Sequence, residues 1–129
     1  VVETHRRLAA WLRVGITLAE IDAFCGAIFE ELKCKSAFVG YKVRGHPPFR
    51  SLTCLSLNDM VVHGEHDATR LAEGDLLSVD VGVRHRGMIG DSAATASATR
   101  CTRARTSRTP RPPIRASGTR LGRRSRRAC

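Results

Sequence analysis

The chain has 129 residues, enough for one domain, with an ordinary globular balance of 42% hydrophobic and 26% charged residues. No apolar run approaches the roughly 18 residues of a membrane span, and the opening VVETHRRLAAWLRVG has neither the apolar region nor the small-residue cleavage site of a signal peptide. The net charge of +10 invites a nucleic-acid reading, but residues 1–98 carry 11 basic and 12 acidic side chains, whereas 99–129 carry 11 Arg and no Lys, Asp or Glu.

Two parts are therefore expected, a folded part over 1–95 and an Arg-rich tail over 96–129. Val1 stands where an initiator Met would, so the chain is expected to be incomplete at that end. Cys25, Cys34, Cys54, Cys101 and Cys129 are an odd count without metal-ligand spacing. They are expected as reduced thiols of a cytoplasmic protein rather than as a disulfide framework.

Residues 3–13 (ETHRRLAAWLR) predict a helix, with Leu8, Trp11 and Leu12 at helical spacing and Gly15 as the breaker. Thr17 opens a second helix, and Glu20 three residues on completes a candidate capping box, the only role expected of that pair. Ile21, Phe24, Cys25, Ile28, Phe29 and Leu32 form its apolar stripe, with Asp22, Glu30, Glu31 and Lys33 off it. GYKVRGHPPFR (40–50) is a Gly- and Pro-punctuated loop, LTCLSL (52–57) and MVVH (60–63) are short strand candidates, and LAEG (71–74) is a turn.

LLSVDVGV (76–83) alternates cleanly, which sends Leu77, Val79, Val81 and Val83 to one face and Leu76, Ser78, Asp80 and Gly82 to the other. MIGDSAAT (88–95) returns as its partner strand after a polar turn. A two-residue turn flanked by Arg84 and Gly87 would set Val83 opposite Met88 and Asp80 opposite Asp91, with the two Cβ atoms roughly 5 Å apart. Like charges so placed repel. A shared proton resolves this, and so does a divalent cation, since bridged di-metal sites hold their ions roughly 3.5–4 Å apart. A pair of solvated Asp side chains on an exposed face remains a third reading. Gly82 and Gly90 beside them fit a close approach by another backbone or a ligand.

Four segments in order resemble methionine aminopeptidases of the pita-bread metallopeptidase family. SLNDMVVHG (56–64) resembles the family's Ser-x-Asn-(Glu/Asp)-x-Val-x-His-Gly. LAEGDLLSVDVGVRHRGMIGDSAAT (71–95) resembles its Leu-x-x-Gly-Asp-x-x-x-x-Asp-x-Gly followed by Gly-x-x-Gly-Asp-x-x-x-Thr. VGITLAEID (14–22) is similar to Pro-Gly-x-Thr-x-x-Glu-(Leu/Ile)-Asp with Val14 in place of Pro, and GYKVRGHPPFRSLTC (40–54) resembles the pocket-lining loop. The resemblance implies an α+β fold, the N-terminal half of a pita-bread domain with two helices on an antiparallel sheet; the Arg-rich tail after it is expected to be disordered from its composition and like charges.

It also implies roles. Asp80 would hold one of two divalent ions (Co, Mn, Fe, Ni or Zn) and Asp91 would bridge both. His63 would be the catalytic and substrate-contacting His, hydrogen-bonding near the scissile peptide and helping to move a proton. Tyr41, Phe49 and Cys54 would line the pocket for the Met side chain. The implied activity is removal of the initiator Met from nascent proteins by a cytoplasmic monomer, with the ribosome as a further partner and no membrane.

Besides Val14, three further positions depart from the pattern. Arg50 replaces a Pro, and Glu65-His66 replace Ile-Pro after His63-Gly64. The family's remaining ligands, one His and two Glu, lie in its C-terminal half, whereas this chain has no His after His85 and no acidic residue after Asp91. The chain is therefore expected to be truncated and inactive. His5, His46, His66 and His85 match no family role and are expected as loop or surface residues. Two rival functions stay open, a non-catalytic pita-bread binding module and a basic nucleic-acid or ribosome-binding protein. The tail itself reads either as a polyanion-binding segment or as a GC-rich gene translated out of frame.

Overall fold

The structure, a computed structural model, describes residues 1–98. Two helices, α1 (Val2–Trp11) and α2 (Leu18–Glu31), precede four strands: β1 (Lys35–Ser36), β2 (Cys54–Leu57), β3 (Leu76–His85) and β4 (Met88–Ser97). The expected disordered tail lies, from residue 99 on, outside the described residues. Residues 96–98 do not: β4 runs to Ser97, and the backbone of Ala98, 1% exposed, bonds to Asp75 and Gly74.

The second helix starts where its chemistry dictates. Thr17 Oγ1 accepts from the Glu20 N–H, and the Glu20 carboxylate accepts from the Thr17 N–H, which completes the capping box. The stripe packs inward, with Ile21 and Cys25 fully buried and Phe29 nearly so. Trp11 stacks on Phe24 at 4.3 Å between ring centroids and ties the helices together. Residues 67–71 run back along the start of α2, where Leu18 and Ala19 N–H groups donate to Thr69 and Asp67 carbonyls.

The sheet is antiparallel and centred on β3. One edge of β3 pairs with β4 along its whole length, and the other pairs with β2 at residues 77–80 and with β1 at 83–84. Leu77, Val79, Val81 and Val83 are buried against the helices, as the alternation requires.

Two expectations need correction. MVVH (60–63) is not a strand: Met60, Val61 and Val62 are exposed and His63 has φ +59°. The hairpin register also differs. The turn is Arg86-Gly87 flanked by His85 and Met88, so Val83 faces Gly90, Gly82 faces Asp91 and Asp80 faces Ala93. Both turn residues have positive φ (49° and 80°), the conformation that a tight hairpin demands and that Gly87 accepts without strain. The glycine therefore sits inside the turn rather than beside it. The shift is by two positions, which preserves the alternation, so Asp80 and Asp91 stay on one face as diagonal neighbours.

Candidate active site

The face of β3 opposite the helices, the end of β2, the 37–49 loop and the 63–65 segment enclose a cavity of about 760 Å³. Its lining includes Tyr41, Phe49, Cys54, His63, Asp80 and Asp91, the six residues singled out in the sequence. They come from five separate stretches of chain, the 37–49 loop, β2, the 63–65 segment, β3 and β4, and the strand residues meet because β3 pairs with both β2 and β4. Cys54 stands directly opposite Asp80 in the β2–β3 register, and Asp91 lies diagonally across on β4.

The Asp pair is electrostatically crowded. The Asp80 carboxyl has its pKa raised, first by burial, then by a hydrogen bond with Asp91 and the charge of Asp91, with His63 and His5 acting in the opposite direction. Two like-charged carboxyl groups this close favour a proton on Asp80, which is the direction of the first resolution open from the sequence. Burial, followed by the charges of Asp80 and Asp91, pushes the Cys54 thiol up to about 11. Cys54 is thus a neutral wall of the cavity and not a nucleophile.

The aromatic side of the cavity is more built than the sequence reading allowed. Phe38, which that reading passed over, lines the cavity and meets Phe49 edge-on at 6.4 Å and 88°. Its ring lies where a Cβ on Gly82 would stand, at 2.5 Å. The glycine in β3 therefore does mark a close approach, but by an aromatic ring. Spacing alone carries no signal for Phe38, because a ring seated on a strand glycine is a tertiary contact.

Among the other histidines, His46 also lines the cavity, which the sequence reading did not expect. His5 bonds to Ser92, His85 to the Lys33 carbonyl, and His66 to Ser51 beside Asp22. Asp22, off the apolar stripe in sequence, is nonetheless 5% exposed. Its carboxylate accepts from the Leu52 and Thr53 N–H groups and from Thr53 Oγ1.

Among the described residues, no group of three or more His, Cys, Asp or Glu side chains is placed to hold a metal ion. Asp80 and Asp91 are hard oxygen donors suited to a divalent ion, but two carboxylates do not complete a site, and no acidic residue or His follows Asp91.

The family model of metallopeptidase family M24 matches residues 1–107. The chain belongs to this family. It is 33% identical over 92 residues to methionine aminopeptidase 1 of Bacillus subtilis, covering 71% of this chain and 35% of that protein. It is 38% identical over 82 residues to methionine aminopeptidase of Mycoplasma genitalium, covering 64% and 31%. Among solved structures, methionine aminopeptidase from Thermotoga maritima superposes with a TM-score of 0.67 at 33% identity, covering 75% of this chain and 37% of that one. The enzyme from Rickettsia prowazekii, at 24% identity and a TM-score of 0.70, agrees in fold. The fold is thus the N-terminal part of a pita-bread domain, and the chain spans about a third of the length of the curated relatives it matches. Members of a metallopeptidase family use divalent metal. No helix among the described residues is long and apolar enough to cross a membrane.

Proposed function

We propose that this chain carries the peptide-recognition part of a methionine aminopeptidase, binding the free N-terminus of a polypeptide that begins with Met. The observation that carries this reading is the meeting of carboxylates and an aromatic wall in one cavity. A peptide N-terminus presents an ammonium group beside its first side chain. Asp80 and Asp91 suit the ammonium, Tyr41, Phe49, Phe38 and Cys54 suit the thioether, and His63 stands at the rim to meet the first peptide group. Asp80 and Asp91 are the donors this chain would contribute to a di-metal site in the cytoplasm, on which hydrolysis by intact relatives would depend.

The 129-residue chain alone should not hydrolyse Met-Ala peptides at a useful rate, even with Mn or Co added. The test is an aminopeptidase assay beside a full-length relative, with metal content measured on both and peptide binding followed by NMR. Binding of Met-Ala that weakens on acetylating the peptide N-terminus and in Asp80→Asn supports the reading; no binding at all sinks it. Turnover comparable to the relative's, with metal bound, would overturn the claim that two carboxylates are too few.

The 11 Arg beyond residue 98 favour a second activity, weak polyanion binding by that segment. Deleting 99–129 should abolish any salt-dependent RNA binding and leave peptide binding unchanged.

A further inference from the structure

We infer that the Arg50–Glu65 ion pair and the Ser51–His66–Asp22 cluster form a clasp that positions His63 at the cavity. The inference rests on the reading that His63 meets the bound peptide. His63 needs such a device, because it is exposed, lies in no helix or strand and has φ +59°.

The three residues after it are each tied down. The Gly64 N–H donates to Ser56 Oγ at 3.3 Å and its carbonyl accepts from the Leu55 N–H at 2.8 Å. A Cβ on Gly64 would stand 2.0 Å from the Leu55 oxygen, so only glycine lies this close to β2. Glu65 accepts from Arg50 Nε at 2.7 Å. The His66 N–H donates to Ser51 Oγ at 2.7 Å, and its Nδ1 lies 2.8 Å from the same oxygen and 3.4 Å from Asp22 Oδ2. Ser51 is fully buried, and Asp22 is itself fixed by Leu52 and Thr53. The rim segment is thus bound to one continuous stretch, 50–56, that ends in β2.

These contacts involve three of the four residues at which the chain departs from the sequence pattern it resembles. Arg50 and Glu65 are both departures, and they pair with each other. His66, a third, finds its partners in Ser51 and Asp22. Two of these residues thus satisfy each other and the third is held by Ser51 and Asp22, so all three fasten the segment that follows His63. The ion pair has a second effect. Glu65 lines the cavity, and Arg50 neutralises it, which keeps a third bare carboxylate away from Asp80 and Asp91.

The experiment follows the His63 ring by ¹H–¹³C NMR in the full chain without ligand. Arg50→Ala removes a side chain that is 75% exposed, so the fold should persist. In Arg50→Ala, Glu65→Ala and His66→Ala the His63 ring peak is expected to shift and broaden, with the Arg50/Glu65 double Ala variant no worse than either single change. The exchanged pair, Arg50→Glu with Glu65→Arg, should return the wild-type peak. A His63 peak unchanged in position and width in folded Arg50→Ala overturns the proposal, as does an exchanged pair that fails to restore a peak the single changes moved. Adding a Met-Ala peptide to the same samples tests the cavity separately. A wild-type His63 peak that ignores the peptide rejects the functional reading, and the clasp is still decided on the unliganded spectra.

Discussion

Replacing Asp22 by Ala is expected to be the most damaging single side-chain truncation in the clasp region. The Asp22 side chain is 8% exposed and accepts four hydrogen bonds at 2.8–3.0 Å, two of them from the Leu52 N–H, one from the Thr53 N–H and one from Thr53 Oγ1. Thr53 is fully buried, so water cannot replace the lost acceptor for its two donors. Each buried donor left unpaired costs about 1–3 kcal/mol, and the two share one acceptor, so about 3–5 kcal/mol is expected in total. That is a large part of the roughly 5–15 kcal/mol that stabilises a domain. Asp22→Asn should be milder, about 1–2 kcal/mol, because its Oδ1 can still accept from Leu52 and Thr53. Urea unfolding of the three proteins, compared at a common m-value, measures both differences. A loss below about 1 kcal/mol for Asp22→Ala, with m unchanged, would refute the reasoning, since it would mean that the Thr53 donors find other partners.

Other consequences are as specific. Asp80→Asn should raise the melting temperature near neutral pH. The raised pKa of Asp80 means that the folded state holds its proton more tightly than the unfolded one, so the stability present below the ordinary Asp value is lost as pH rises through the raised value. The gap between variant and wild type should therefore open over mildly acid pH, and a constant gap from about pH 3 to about pH 7 would contradict this. Gly82→Ala should cost about 1–2 kcal/mol and break the Phe38–Phe49 edge contact, visible as altered Phe ring shifts. Gly64→Ala should cost more, about 3 kcal/mol, because the atom in the way is backbone and not the end of a ring; equal costs in denaturant would count against the distinction. Thr17→Ala should cost about 1 kcal/mol, with helix content by circular dichroism as the check.

The features legible in the sequence are those set by local period and local chemistry. The capping box at Thr17 and Glu20, the helix stripe from Ile21 to Phe29 and the alternation from Leu77 to Val83 need no partner to declare themselves. The hairpin was half legible. Alternation set the face of Asp80 and Asp91, while the register depended on which residues occupy the positive-φ turn, and Gly87 was the available signal for that. Phe38 and Asp22 were not legible as site-building residues. Phe38 acquires its place from a glycine more than forty positions away, and Asp22 from backbone N–H groups that carry no sequence signature. The same holds for MVVH, whose apolar run is strand-like but whose residues at 61 and 62 find nothing to cover them.

The arrangement of charge in the cavity supports the proposed role of the Asp pair. Three carboxylates line the cavity: Glu65, Asp80 and Asp91. Glu65 has its own cation in Arg50 at 2.7 Å. Asp80 and Asp91 form no ion pair among the described residues, although Arg84 lines the same cavity and His63 and His5 act on Asp80 from nearby. A fold that pairs one carboxylate with a cation and sets its two neighbours close together keeps a repulsion that a single Asp-to-Asn change would relieve. The natural account of that repulsion is a cation that comes from outside the chain. A peptide ammonium meets this requirement alone, and divalent ions meet it once further ligands are present. Charge therefore predicts an order of competition: Met-Ala with a free N-terminus should protect Asp80 from protonation, lowering its pKa as read by carboxyl ¹³C NMR, whereas the acetylated peptide should not. Equal effects of the two peptides would show that the aromatic wall, and not the Asp pair, holds the ligand.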